Sequence, residues 1–170
     1  MDVSGYQLAR RYAPLLERVQ QIADQAAFLV RQRMRERMVP TRIVIAAQKH
    51  CPEVVIRSQQ QTLGVNTLPL RSERCDYLGI TTLSPEGVLV VINAGSMGSD
   101  QRTLDETVVH ELVHVAQYGR PGAREIAIKG LRNNYGIEKL SHPKAWKLNW
   151  QISRDEREAQ ALEPLAREIR

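Results

Sequence analysis

The stretch His110-Glu111-Leu112-Val113-His114 lies inside a run that predicts an α-helix from Thr103 to Tyr118. Two histidines four residues apart project from the same face of a helix, one turn from each other. Their imidazoles can therefore reach one point in space, as the ligands of a metal ion must. Glu111 lies about 100° further round the helix, where its carboxylate can accept a proton from water. The pentapeptide predicts a metal site with a general base beside it.

Both ends of this helix carry sequence signals. Thr103 followed by Glu106 has the form of a capping box, which predicts Thr103 as the N-cap residue. Gly119 suits the position after the last helical residue, and Pro121 prevents the helix from resuming. An apolar stripe at three- and four-residue spacing predicts the face that packs on the core: Leu104, Val108, Leu112 and Val115.

A catalytic zinc site needs a third protein ligand in addition to two histidines. The downstream sequence offers four candidates for it: His142, Asp155, Glu156 and Glu158. The three acidic residues fall in a predicted C-terminal helix with Ser153 as its N-cap, in which Glu156 is also suited to be the capping-box glutamate. Glu156 and Glu158 point about 200° apart on such a helix, so only one of them can be the ligand.

The segments HELVHVAQYG at 110–119 and EREAQAL at 156–162 resemble the small zincin-like metallopeptidases of bacteria and phages. The resemblance covers the chain from the metal helix onward. It implies a zincin-like fold, Zn²⁺ as the cofactor, His110 and His114 as two of its ligands, and Glu111 as the general base.

The same resemblance bears on the remaining site residues. Arg120 stands where the third histidine of the metzincins would be, which argues against that arrangement. Glutamate-ligand zincins carry a pattern similar to E-x-x-A-[DNQ], which implies Glu156 as the third ligand and Gln160 as a hydrogen-bond partner of a ligating histidine. A downstream tyrosine or histidine stabilises the oxyanion in several such enzymes. Tyr135 is the catalytic candidate for this role and His142 is its alternative, although each also suits a structural role.

The expected fold class is α+β, with a long N-terminal helix and a small, mainly antiparallel or mixed sheet of three or four strands. We expect one zincin-like domain over residues 1–170, with a helical part (1–40), a sheet (41–100) and the metal-site helices (101–170). Apolar residues at helical spacing predict a helix from Pro14 to Met38 that covers one face of the sheet, and Tyr6–Tyr12 is a candidate short helix. Strands are predicted at Thr41–Ala47, Glu53–Arg57, Tyr77–Leu83 and Val88–Asn93. Further helices are predicted at Glu125–Leu131 and from residue 154 to about 168, where Pro164 can shorten the last one.

The chain carries a net charge of +5 with a pI near 9.5, and its hydrophobic fraction of 42% is ordinary for a globular protein. Many arginines lie in the N-terminal third: Arg10, Arg11, Arg18, Arg31, Arg33, Arg35 and Arg37. The favoured interpretation is a solvated helix face, and the alternative is a patch for nucleic acid or another polyanion. Aromatic residues make up only 5% of the chain, so no stacking platform for bases is evident.

The chain has no long uncharged apolar run and no secretory leader pattern. We therefore expect no membrane partner, and a cytoplasmic or particle-associated location. Cys51 and Cys75 lack the C-x-x-C spacing, which indicates core-type thiols of a reduced compartment, with one disulfide between them as the alternative.

The leading functional hypothesis is a zinc metallopeptidase that hydrolyses an amide bond in a peptide or protein, with the peptide stems of peptidoglycan as a second substrate class. One alternative is a zincin-shaped structural or assembly protein, such as a component of a phage particle. Another is a DNA-associated protease of the SprT-like type, whose third zinc ligand is a histidine. The choice between Glu156 and His142 separates this last hypothesis from the first.

Overall fold

The computed structural model describes residues 1–67, 76–98 and 100–170. The strands in these ranges are β1 (Asp2–Tyr6), β2 (Thr41–Ala46), β3 (Gly79–Leu83) and β4 (Val88–Asn93). The helices are α1 (Ala13–Met34), α2 (Cys51–Leu63), α3 (Gln101–Tyr118), α4 (Ala123–Asn134) and α5 (His142–Leu162). Short 3-10 helices lie at Arg10–Tyr12, Gln48–His50 and Glu163–Glu168.

The four strands form one mixed sheet in the order β1-β2-β4-β3. β1, β2 and β4 run parallel, with Ile43 opposite Val90, whereas β3 pairs antiparallel with β4 and places Thr81 opposite Val90. The predicted α+β class with a small mixed sheet of up to four strands is confirmed. The antiparallel strand β3 lies at the edge of the sheet, next to α3.

Helices cover the sheet on both faces, and the alternation of side chains along the strands explains why. Ile43 and Ile45 of β2 pack into a core with α1 and α3. Val44 and Ala46, which point the other way, pack with α2. All six residues of β4 are buried, as expected for a strand covered on both faces. The prediction that the long N-terminal helix covers one face of the sheet is confirmed.

The prediction of a strand at Glu53–Arg57 is wrong, because these residues belong to α2. Pro52 lies in the first turn of that helix, and Gly64 ends it in the left-handed conformation with φ of 67°. Val54, Val55 and Ser58 are buried together on one face, at helical spacing. A short run of β-branched residues looked like a strand, but the flanking proline and glycine are the stronger signals.

The N-terminal predictions need two corrections. The short helix proposed for Tyr6–Tyr12 is wrong: Asp2–Tyr6 is a strand, and only Arg10–Tyr12 forms a single 3-10 turn. The long helix α1 ends at Met34 and not at Met38. Arg35 adopts a left-handed conformation with φ of 58°, and its N–H donates to the carbonyl of Arg31, which terminates the helix before Pro40 is reached.

The last helix begins twelve residues earlier than predicted. α5 starts at His142, with Pro143 in its first turn, and runs unbroken through Ser153. Ser153 is therefore not an N-cap; its hydroxyl donates to the carbonyl of Asn149, one turn before it. Pro164 lies just beyond the end of α5, in the 3-10 helix that follows. The prediction that this proline shortens the last helix agrees with that position.

Cys51 is buried, and its thiol donates to the carbonyls of Ala46 and Ala47 over 3.6 Å. Cys75 lies outside the described residues, as does part of the polar stretch after α2. No helix within the described ranges combines the length and the apolar character needed to cross a bilayer.

Candidate metal centre

The two histidines of α3 point their Nε2 atoms at the same place. His110 Nε2 and His114 Nε2 lie 3.2 Å apart, and both side chains are mostly buried. The helix that carries them begins with Asp100 as N-cap, whose carboxylate accepts from the backbone N–H groups of Arg102 and Thr103. The prediction of Thr103 as N-cap is thus wrong by three residues, since Asp100 is the stronger cap.

α3 is held firmly against its neighbours. Asp105 accepts two hydrogen bonds from the guanidinium of Arg18 on α1, at 3.0 and 2.6 Å. Gly119, directly after α3, allows close approach of the chain, because a Cβ atom there would lie 1.9 Å from the carbonyl oxygen of Arg37. These contacts fix the position and the tilt of the helix that presents the histidines.

Glu156 on α5 is the third group of the cluster. Its carboxylate oxygens lie 3.5 Å from His110 Nε2 and 3.3 Å from His114 Nε2. Ala159, one turn further along α5, is fully buried and lets the two helices pack closely. One ligand atom from each of the three residues can be chosen so that all lie within 4.8 Å of one another.

The donor set and its spacing suit a tetrahedral zinc ion. With metal–ligand distances of 2.0–2.1 Å, neighbouring ligand atoms of a tetrahedron are about 3.3 Å apart. The two Nε2 atoms are 3.2 Å apart, and each lies 3.3–3.5 Å from a different oxygen of the Glu156 carboxylate, which is close to this value. Two imidazoles and one carboxylate are also a donor set found at catalytic zinc sites with an open fourth position.

The other candidates for the third ligand are placed elsewhere. Glu158 pairs with Arg120 at 2.7 Å and accepts from the side-chain amide of Gln117. Asp155 lies 3.4 Å from Arg120 as well. His142 is exposed at the start of α5, fourteen residues before Glu156 and hence about 21 Å along the helix. The structure brings together His110, His114 and Glu156. The other three candidates lie outside this cluster.

Each histidine has a partner on its other ring nitrogen. Nδ1 of His110 lies 2.9 Å from Oε1 of Glu163, and Nδ1 of His114 lies 2.8 Å from Oε1 of Gln117. Such contacts fix the tautomer in which Nε2 is the ligand atom. Gln160, which the resemblance implied for this role, is exposed. Gln117 had a signal in the sequence, since it lies three residues after His114 on the same helix face.

The carboxylate of Glu111 lies between α3 and the edge strand. Thr81 donates a 2.6 Å hydrogen bond to its Oε2 atom. Gly79 makes room for it, because a Cβ atom at that position would lie 2.7 Å from Oε1. Burial raises the pKa of Glu111, although the nearby His114 and the Thr81 hydroxyl act in the opposite direction. A carboxylate with a raised pKa is a better proton acceptor at neutral pH.

The charges of His114 and Glu156 are coupled. Burial lowers the pKa of His114, but the hydrogen bond with Glu156 and the charge of Glu111 outweigh it, so the pKa is raised overall. The pKa of Glu156 is lowered, chiefly by its hydrogen bond with His114. Both shifts favour a protonated His114 paired with an ionised Glu156. A metal ion that binds His114 must therefore displace this proton.

The three groups open into a cleft of about 790 Å³ between the edge strand and the helices α4 and α5. Its helical side is partly apolar, with Ile126, Leu131, Leu148 and Ile152 among the lining residues. Tyr118 also lines the cleft, and burial together with the charges of Glu111 and Asp155 raises its pKa to about 12.

Tyr135 lies at the end of α4, and its hydroxyl donates to the side-chain oxygen of Gln59 on α2. The structure thus links this predicted catalytic residue to the rim of the cleft, whereas Tyr118 is the tyrosine placed beside Glu111. Tyr118 was not predicted as a site residue, because at the end of α3 a tyrosine is equally suited to be the last core residue of the helix.

The chain was compared with protein-family models, with curated proteins and with solved structures, and none of the three comparisons gives a match.

Proposed function

We propose that the chain is a zinc-dependent metallopeptidase with His110, His114 and Glu156 as the ligands and Glu111 as the general base. The observation that carries this proposal is the convergence of the two Nε2 atoms and the Glu156 carboxylate, with the buried carboxylate of Glu111 beside them. The donor set alone would suit a structural site. The adjacent Glu111, held in place by Thr81, is a feature that only catalysis requires.

Zinc, when bound, supplies a Lewis acid that polarises a carbonyl and lowers the pKa of water. The residues of the chain supply the proton transfers and the positioning. Glu111 accepts a proton from the attacking water and later passes it to the nitrogen of the leaving amine. Its Oε2 atom is occupied by the Thr81 hydroxyl, so Oε1 is the oxygen left for this exchange. Glu163 and Gln117 keep the two imidazoles in the required orientation.

The proposed substrate is an extended peptide or an unfolded segment of a protein. β3 pairs with β4 on one side, and residues Gly79–Thr82 line the cleft. An extended chain can add to such an edge through backbone hydrogen bonds, while the apolar residues of α4 and α5 contact its side chains. The peptide stems of peptidoglycan are a second, narrower class of substrate under the same proposal.

The geometry favours this hypothesis over the two alternatives. A SprT-like site needs a histidine as third ligand, and within the described ranges the group that converges with the two histidines is Glu156. A purely structural or assembly role gives no reason for a buried carboxylate directly after a ligating histidine.

The test is the zinc content of the purified protein by elemental analysis, alongside cleavage of a peptide library. One zinc per chain is expected, with a loss of metal in Glu156→Ala but not in the matched controls Glu158→Ala and His142→Ala. Glu111→Gln should retain zinc and abolish cleavage. Absence of zinc after reconstitution would overturn the proposal, and metal loss in His142→Ala instead of Glu156→Ala would replace it with the SprT-like one.

A further inference from the structure

Both tryptophans of the chain lie on one outward face of α5. Trp146 is 71% exposed and Trp150 is 51% exposed. Residues four apart are neighbours on a helix surface, so the two indoles form one continuous aromatic ridge. The opposite side of α5 packs on the protein and includes the buried Ala159. Two adjacent, strongly exposed indoles on a single face mark an interaction surface.

The same face is basic. Lys147, Arg154 and Arg157 are exposed around the indoles, and the guanidinium of Arg154 lies 5.6 Å from the centre of the Trp150 ring. Two carboxylates of α5 are engaged elsewhere, Glu156 with the two histidines and Glu158 with Arg120. Asp155 lies 3.4 Å from both Arg120 and Arg154 and offsets part of the charge of Arg154, whereas Lys147 and Arg157 have no carboxylate partner among the ion pairs of the described residues. The partner of this face is therefore expected to be both anionic and able to accept aromatic rings.

The shape of the face decides between anionic partners. A helix surface is convex, whereas single-stranded nucleic acid is usually bound in a groove whose cations follow the phosphates. One side of the Trp150 ring is also covered by Arg154, which leaves less of it for stacking with a base. Tryptophan and basic residues on one face of a helix are suited to the interface of a lipid bilayer, where indoles lie at the level of the headgroups.

We propose that the outward face of α5, formed by Trp146, Lys147, Trp150, Arg154 and Arg157, is a docking surface for an anionic phospholipid bilayer. The binding is peripheral, so it needs no membrane-spanning helix. The expectation of no membrane partner rested on the lack of such a span. Glu156 lies about 120° round the helix from Trp150, so the metal cluster points away from the docked surface. The docking does not depend on the proposed catalytic function.

Intrinsic fluorescence tests this directly, because Trp146 and Trp150 are the two tryptophans of the whole chain. The full chain is titrated with vesicles of phosphatidylcholine alone and with vesicles of an equal mixture of phosphatidylcholine and phosphatidylserine. A blue shift of the emission is expected with the mixed vesicles only, and it should weaken at high salt because the attraction is electrostatic. A single-stranded oligonucleotide serves as the competing polyanion.

Vesicle co-sedimentation then assigns the residues. Trp146→Ala should weaken vesicle binding about tenfold, because the variant lacks an indole that is partly buried in the bilayer interface. Lys147→Gln should weaken it about fivefold. The matched control is Phe28→Ala on α1, another exposed aromatic residue (61%), which should bind as the parent does. No blue shift with the mixed vesicles, a tighter complex with the oligonucleotide, or an equal loss in Phe28→Ala would each overturn the proposal.

Discussion

Thr81, on the edge strand of the sheet, donates a 2.6 Å hydrogen bond to the carboxylate of Glu111 on the helix beside it. The contact joins two elements that are 30 residues apart in the chain. It fixes the Oε2 oxygen, whereas Oε1 lies next to Gly79 of the same strand. In the proposed mechanism, a base held in this way does not need to reorient when substrate arrives.

Replacing Thr81 by Val should therefore slow hydrolysis without loss of metal. The variant keeps the shape of the side chain but removes a hydrogen bond to a charged group, which is worth about 1.5–3 kcal/mol. We expect kcat to fall about 10- to 100-fold while zinc content stays the same. The matched control is Thr82→Val, since Thr82 accepts a hydrogen bond from Gln59 instead. Unchanged kcat in Thr81→Val would contradict a positioning role.

Gly79→Ala tests the same carboxylate by steric means. The added methyl would lie 2.7 Å from Oε1 and 2.8 Å from Cγ of Glu111, so the side chain has to move. We expect kcat to fall at least tenfold, because a displacement near 1 Å is enough to misplace a catalytic group. Gly130→Ala is the control: it lines the same cleft but meets only the flexible end of Leu148, at 3.2 Å. Equal kinetics in both variants would argue against the requirement for glycine at 79.

Glu163→Gln should weaken zinc binding. The substitution keeps the size of the side chain but removes the charge that lies 2.9 Å from Nδ1 of His110. Loss of such a partner typically lowers metal affinity about 10- to 100-fold. Competition with a chromogenic chelator measures the change, and Glu168→Gln, an exposed glutamate in the same 3-10 helix, is the control. Parent-like affinity in Glu163→Gln would show that the contact does not support the ligand.

The raised pKa of Tyr118 predicts a loss of stability at high pH. Its folded pKa of about 12 lies above the ordinary value of 10, so its contribution is complete below pH 10. As the pH rises from 10 to 12, the unfolded chain loses this proton while the folded chain keeps it, and stability falls by up to about 3 kcal/mol.

Ultraviolet titration of the parent and of Tyr118→Phe isolates this group. The difference between the two curves is the titration of Tyr118, and its midpoint should lie close to pH 12. Chemical denaturation at pH 9 and pH 11 should show a smaller drop in stability for Tyr118→Phe than for the parent. A midpoint near 10 would contradict the burial and the nearby negative charges described for this residue.

Short-range patterns predicted much of the fold and the centre of the site. β4 was predicted to the residue, β2 to within one residue, and the two histidines were placed on one helix face from their spacing alone. These features depend on the 3.6-residue helical period and on β-branched residues, which a sequence displays directly.

Features that depend on distant contacts were harder to predict. β1 consists of Asp2–Tyr6, an unremarkable sequence that becomes a strand because β2 provides a partner for it. For residues 53–57, Pro52 and Gly64 were local signals of a helix, but only the packing of Val54 and Val55 on the sheet shows which side chains it buries. Glu163 was missed because it follows the end of α5, and only the packing of that segment on α3 brings it to His110. Spacing within a helix could not place it.

The helix α4 is attached at both ends. Near its start, the guanidinium of Arg124 donates to the carbonyls of Ser84, Pro85 and Gly87 in the turn between β3 and β4. Just beyond its end, Tyr135 is hydrogen-bonded to Gln59. The opening between α4 and the sheet therefore has a set width before any substrate is present. For the proposed peptidase, a slot of fixed width would select an extended polymer over a folded one by its thickness, without a moving lid.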